Sequence, residues 1–428
     1  MTPYIFALIL ILLAVLGTPL FAIILAVAML GFHFIDVNLS VIAIEIYRIA
    51  DTPVLIALPL FTFAGYVLGE SRTSHRIVRV AQAFLCWVPG GLAIMAFIAC
   101  ALFTAFTGAS GVTIVALGAL IYPALTEAGY REKFSIGLVT SSGSLGLLLP
   151  PSLPLILYGI IVQQMDIGAS VAITDLFLAG LLPGLLMIIL LSVWSLRENR
   201  RFPITCNLFS AQEAISAVRE AIWEIPLPFF VLGGIYGGFF AISEAAAATA
   251  MYVLVVEVFI YKEIKLTQLP AIMRDSMVMV GGILLILGVS LASTNFLIDA
   301  GVPILLFKAI QSHVSSKIVF LILLNLLLLV LGAILDIFSA LVIMVPIILP
   351  VAINYGVDPV HLGIIFLANM QIGYFTPPVG MNLFIASYRF NKPVTELYQA
   401  AIPFMIVLFA AVLIITYWPD LSLVFLQR

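Results

Sequence analysis

The stretch from Leu331 to Phe390, LGAILDIFSALVIMVPIILPVAINYGVDPVHLGIIFLANMQIGYFTPPVGMNLFIASYRF, is nearly all apolar, yet it carries Asp336, Asn369, Gln371, Thr376, Asn382 and the pair Pro377-Pro378. Segments this long and this apolar belong in a bilayer. Polar side chains at such depth are expensive and mark functional positions. Adjacent prolines stop a helix, and a helix broken in lipid leaves N–H and C=O groups that only protein, water or a ligand can satisfy. The breaks therefore mark a site near the midplane.

The stretch from Thr107 to Tyr158 has the same skeleton at one fixed offset of 227 residues: Pro123 falls on Pro350, Gly129 on Gly356, Gly146 on Gly373 and Pro150-Pro151 on Pro377-Pro378. Polar positions follow too, Ser142 onto Asn369 and Ser144 onto Gln371. A repeat built on interrupted hydrophobic segments predicts a secondary transporter with its cargo between the halves. Composition agrees, with 64% hydrophobic and only 9% charged residues among 428, against about 25% charged in soluble domains. A net charge of -3 without a basic tract argues against nucleic acid as a partner. Cys86, Cys100 and Cys206 are scattered and read as small buried apolar residues. His33, His75, His313 and His361 are isolated, so no histidine metal site is expected. The chain has no Gly-rich phosphate loop, and Asp336 falls opposite Ala109 rather than a second carboxylate, which disfavours an ATPase or an intramembrane hydrolase.

Basic loops set the expected topology. The apolar run 3–33 lacks the basic start and cleavage site of a signal peptide and reads as a retained helix, kinked at Gly17-Thr18-Pro19. An interfacial helix over 36–51 and a span over 53–69 lead to the basic cluster Arg72, His75, Arg76 and Arg79. Two arms between Gly90 and Tyr130 meet at Thr107-Gly108-Ala109-Ser110-Gly111 with basic residues beyond both outer ends, which fits two crossings or a re-entrant hairpin, the hairpin better explaining the Gly/Ser tip. A broken segment over 134–161 crosses outward to Gln163, Gln164 and Asp166, and 172–196 returns to Arg197, Arg200 and Arg201. An amphipathic helix over 210–224 precedes spans at 226–242, 243–261 and 276–297. A second hairpin, 317–355, opens outward, a second broken segment, 361–388, crosses back, and a last span over 397–418 leaves the C-terminus outside and the N-terminus inside. Five crossings separate the hairpins. Five is odd, so the repeats are inverted.

Thr376 before Pro377-Pro378 reads as the cap of a new half-helix, with Leu149 in the matching place. Half-helix N-termini suit an anionic group and unwound carbonyls a small hard cation. Asp336 either binds a cation or proton or caps the following half-helix, the cap being favoured. Glu244 is placed to cap or to face a helix dipole rather than to couple ions. The run Gly233-Gly234-Ile235-Tyr236-Gly237-Gly238 suggests close helix packing. Asn325, Asn369 and Asn382 either line a site or bridge helices.

Four runs carry a family likeness: GLLLPPS at 146–152, GAILD at 332–336, GIYGGFFAISEAAA at 234–247 and GYFTPPVGMNL at 373–383. They resemble the large membrane subunit of tripartite ATP-independent periplasmic (TRAP) transporters, and the likeness spans essentially the whole chain. The resemblance implies an all-α polytopic membrane protein of the ion-transporter superfamily, with an inverted repeat of two re-entrant hairpins and two broken helices and an elevator-type scaffold plus transport domain. The expected parts are N-terminal scaffold helices (1–89), transport repeat 1 (90–161, hairpin 90–130 and broken helix 134–161), connecting scaffold (162–316), transport repeat 2 (317–390, hairpin 317–355 and broken helix 361–388) and a C-terminal helix (391–428). Family likeness also implies a bacterial inner-membrane carrier, Na+ as coupling ion with no other metal or cofactor, a separate four-helix small membrane subunit, a periplasmic substrate-binding protein, and a small carboxylate such as a C4-dicarboxylate or sialic acid as cargo. Ion ligands would fall at Ser110 with Ser141, Ser142, Gly143 and Ser144, and at Gly332, Asp336, Gly373 and Thr376. Cargo would lie among Thr107, Gly108, Ser144, Pro151, Asn369, Pro378, Gly380 and Asn382. A stand-alone proton- or sodium-coupled anion carrier or antiporter of the same superfamily is the alternative.

Overall fold

A computed structural model describes residues 10, 12–13, 16–34, 36–85, 90–165, 171–199, 210–314 and 316–426. Cys86, Cys206, Asp166, Arg200, Arg201 and the start of the first apolar run lie outside them. Every regular element among the described residues is a helix. Seven of these are long and apolar enough to cross a bilayer, or up to nine if two bent helix pairs each count as one span. The chain is a polytopic membrane protein.

Breaks fall where proline and glycine put them. Gly17 takes a left-handed φ of 84° and the first described long helix, Leu20–Phe34, starts just after Pro19. Gly91–Thr107 is 17 residues long, about 25 Å at 1.5 Å per residue and short of the roughly 30 Å hydrocarbon core. It turns back at Gly108, φ 65°, into Ser110–Ala116 and Gly118–Glu127, which are bent 49° to one another. This is the first hairpin. Lys317–Ile334 and Ile337–Asn354 form the second, turning at Leu335 and Asp336. The first broken helix runs through Glu132–Ser142, the 3-10 turn Leu145–Leu148 and Leu153–Gln164. The second comprises Pro359–Gly373 and Met381–Phe390. Offset mates share backbone form: Ala109 and Asp336 are both extended N-caps, Gly129 and Gly356 are both left-handed, and both Pro-Pro bonds are cis.

The repeats meet face to face. Ser144 Oγ donates to the carbonyl of Gln371 at 3.0 Å, and these two are repeat mates, 227 residues apart. Equivalent residues touch only beside the axis that relates them, so the pseudo-two-fold axis passes through the two helix breaks. On either side a hairpin arm crosses a broken helix backbone to backbone. A Cβ on Gly146 would lie 2.1 Å from the Ala101 carbonyl oxygen and 2.5 Å from the Ala105 nitrogen, and a Cβ on Gly373 would lie 2.5 Å from Gly332 Cα. Ala105 and Gly332 are themselves offset mates, so one crossing is built twice.

Three expectations need correction. The span expected at 226–242 is helical only over Pro226–Tyr236 before it turns. The Gly233–Gly238 run makes no helix-helix seam: Gly233 faces open space, Gly234 and Gly237 pack on Phe240 and Phe239 of the following turn, and Gly238 adopts φ 72°. The Arg72–Arg79 cluster is also more than a flank. Arg76 is buried, with Nη1 2.6 Å from Glu263 Oε1, Nη2 3.3 Å from Glu257 Oε2, and Nε on Glu224. Its guanidinium lies 4.0 Å over the Tyr261 ring. Burial pushes the Glu224 carboxyl above the usual carboxylate range, against the pull of Arg76. The cluster fastens Thr73–Leu85 to the chain after Ala211–Glu220 and to the π-helical turn Val255–Ile260.

Because the Gly146 crossing leaves no room for a methyl group, Gly146→Ala should destabilise the protein by about 1–3 kcal/mol. Gly233→Ala, with nothing within 4 Å of its Cβ, should leave stability unchanged or slightly raised. Parallel denaturation of the two variants in detergent checks this.

Candidate functional site

Each hairpin tip delivers its residues to a helix break. In the first, Thr107 is buried and its hydroxyl has no hydrogen-bond partner among the described residues. A Cβ on Gly108 would meet Leu153 Cδ1 at 2.4 Å, so the tip sits directly on the resumed half of the broken helix. Ser110 Oγ donates to Asn382 Oδ1 at 2.8 Å, linking the first tip to the second broken helix, and Asn382 Nδ2 lies 3.5 Å from the Thr140 carbonyl. Ser141 and Ser142 turn inward to the carbonyls of Leu138 and Val139. Gly143 contributes its carbonyl, 2.9 Å from Thr104 Oγ1, which also stands 2.7 Å from Thr113 Oγ1 and 2.7 Å from the Cys100 carbonyl. Four oxygens thus crowd one point with two hydroxyl protons between them. Thr104 and Thr113 were not expected here; nothing in sequence separates them from ordinary helix threonines.

At the second tip, Asp336 Oδ1 accepts from the N–H groups of Phe338 and Ser339, each at 3.0 Å, which is the favoured capping role. Ile337 N–H donates to Tyr374 Oη at 2.8 Å, Gly380 N–H to the Ala333 carbonyl at 3.0 Å and Asn382 N–H to the Tyr374 carbonyl at 2.8 Å. The first two bonds bind hairpin and break together, and the third closes the break on itself. Gly373 lies against Gly332, as described above. Thr376 does not cap the new half-helix: its hydroxyl donates back to the Ile372 carbonyl at 2.9 Å, and the helix resumes only at Met381 after Gly380. In the first repeat the cap is Ser152, whose Oγ accepts from Leu155 N–H, with Pro154 in the first turn. The Pro-Pro pair occupies the turn and pushes the helix start several residues on. Glu244 accepts from Ala241 N–H at 2.8 Å, the expected capping role.

The two breaks are not equally open. Pro150 and Pro151 are buried, whereas Pro378 and Val379 are exposed and Thr376 is half-buried. Asn369 bridges helices: Nδ2 donates to Asn325 Oδ1 at 2.7 Å, and Asn325 continues to Thr416. Its own Oδ1 is buried without a partner among the described residues. Ser144 and Gln371 lie on the axis between the breaks.

The family profile described as tripartite ATP-independent periplasmic transporter, DctM component, matches residues 5–421. The chain belongs to that family. This TRAP large permease is 34% identical to the C4-dicarboxylate TRAP transporter large permease protein of Rhodobacter capsulatus, over 92% of this chain and 91% of that one. It is 33% identical to the isethionate TRAP transporter permease protein of Oleidesulfovibrio alaskensis, covering 88% of this chain and 58% of that longer one. The fold is similar to a crystal structure of the Alcanivorax borkumensis YdaH transporter, with a TM-score of 0.59 at 16% identity, covering 87% of this chain and 89% of that chain. The TRAP large permease is a transporter subunit and not an enzyme. Its family implies a small membrane subunit and a substrate-binding protein as partners.

Asp336 separates capping from charge. Asp336→Ala should cost about 1 kcal/mol of stability through the lost cap, and Asp336→Asn, which still accepts hydrogen bonds, should cost a few tenths. Chemical denaturation of both variants in potassium salt isolates the cap from any sodium effect.

Proposed function

We propose that this permease takes up a small organic anion in symport with Na+ across the bacterial inner membrane, by an elevator mechanism, together with a small membrane subunit and a periplasmic binding protein. The moving part comprises residues 90–161 and 317–390. Residues 1–89 and 162–316, with the C-terminal helix in 391–428, form its scaffold. The carrying observation is the meeting of two interrupted helices at one axis, where hydroxyls and carbonyls from both repeats are concentrated away from lipid. Half-helix C-termini and unwound carbonyls there favour a small hard cation, and freed N–H groups favour an anion.

Ser110 with Ser141, Ser142, Gly143 and Ser144 would hold an ion at the first break; Gly332, Asp336, Gly373 and Thr376 would do so at the second. Cargo would sit between them, near Thr107, Gly108, Ser144, Pro151, Asn369, Pro378, Gly380 and Asn382. Unequal exposure of the two Pro-Pro turns supports alternating access, since one break is covered while its mate is open. An elevator also needs a boundary without interlocking side chains. Gly65 of helix Ala57–Glu70 supplies one, because a Cβ there would meet Thr107 Cα at 2.6 Å. A C4-dicarboxylate and isethionate are named for relatives. Both are small anions, and an anion of that size is the cargo class proposed here.

Thermal stability of the purified permease in sodium against potassium, at matched ionic strength, tests the coupling ion. Sodium at 100 times its dissociation constant should add about 2.7 kcal/mol, and Thr376→Val should weaken that gain. Equal stability in both salts, with a shift only on changing pH, would replace Na+ by a proton as coupling ion.

A further inference from the structure

Gln371 is fully buried, at 0% exposure, and neither its Oε1 nor its Nε2 has a hydrogen-bond partner among the described residues. A buried amide with both polar ends unsatisfied is a costly feature in a helix. The Gln371 carbonyl is already engaged by Ser144, so the unsatisfied group is the side chain alone.

Helix periodicity gives its direction. Asn369 is bonded to Asn325 on the second hairpin arm, and Met370 and Gly373 pack on Gly332 of that same arm. Gln371 lies about 200° around the helix from both Asn369 and Gly373. Its side chain therefore leaves the helix on the face away from the second hairpin. The two-fold relation of the backbones supplies the side: Ser144 reaches the backbone at its mate, so the Cβ of Gln371 is directed toward the first break.

That location favours a cation over an anion. Glu132–Ser142 and Pro359–Gly373 both end beside the axis, and Gln371 lies in the last turn of the second. Each helix C-terminus carries roughly half a negative charge. An amide oxygen beside two such ends is a hard neutral ligand of the kind that takes a monovalent cation.

We propose that Gln371 Oε1 is an ion ligand contributed by the second repeat to the sodium site at the first break, so that one bound ion holds both repeats together across the axis. The inference rests on the sodium reading above. Titration of NaCl against KCl at constant ionic strength, read as thermal stabilisation, tests it with three proteins: wild type, Gln371→Met and Gln371→Glu. Met keeps the shape and removes both polar ends; Glu keeps an oxygen and adds charge. Gln371→Met should be as stable as wild type in KCl, or more so, while its half-stabilising sodium concentration rises about tenfold, the effect of losing one ligand-strength interaction. Gln371→Glu should bind sodium at least as tightly as wild type. If Gln371→Met does not fold, the Glu variant decides alone. An unchanged sodium midpoint in Gln371→Met, or an equal loss in both variants, overturns the role of Gln371 while the sodium reading stands. A wild type indifferent to sodium overturns both.

Discussion

Everything in this permease follows from the cost of an unpaired backbone amide in a membrane. A broken helix frees several N–H and C=O groups, and each is expensive unless protein, water or a ligand meets it. Each repeat meets part of that demand for the other. Ser144 of the first repeat satisfies the Gln371 carbonyl of the second, and Asn382 of the second reaches Ser110 and Thr140 of the first. Within each repeat the hairpin arm and the broken helix also approach backbone to backbone, which is why glycine stands at 146, 332 and 373.

The symmetry is not carried through to the side chains. Asp336 caps the second hairpin tip where Ala109 cannot cap the first. The first break instead gathers the hydroxyls of Thr104, Thr113 and Ser144, while the second is tied by Tyr374 and Gly380. Pro151 is buried and Pro378 exposed, so two breaks with the same backbone present different faces.

The breaks were legible because proline and glycine act on the backbone irrespective of their neighbours: the hairpin turn at Gly108, the broken helices and the repeat offset could all be read from them. Topology rested on basic loops, yet one of those loop residues, Arg76, is buried. Its carboxylate partners lie 148 to 187 residues away, and no local pattern announces them. Thr104 and Thr113 were hidden for the opposite reason, since a threonine within an apolar helix usually bonds only to its own preceding turn. Thr376 misled because a hydroxyl before a proline is an ordinary cap signal; here the doubled proline claims the turn and the cap in the first repeat moves to Ser152. An intramembrane amide such as Asn369 can line a site or bridge helices, and its bond to Asn325 is a bridge.

The meeting of the two breaks at one axis is most directly tested by cross-linking offset mates. In a chain with its native cysteines replaced by alanine, Ser144→Cys combined with Gln371→Cys should form an intramolecular disulfide readily under mild oxidation, identified by mass spectrometry of the linked peptides. Ser144→Cys with Asn369→Cys, on the opposite helix face, should not. Failure of the first pair, or equal linking of both, would contradict an axis through Ser144 and Gln371.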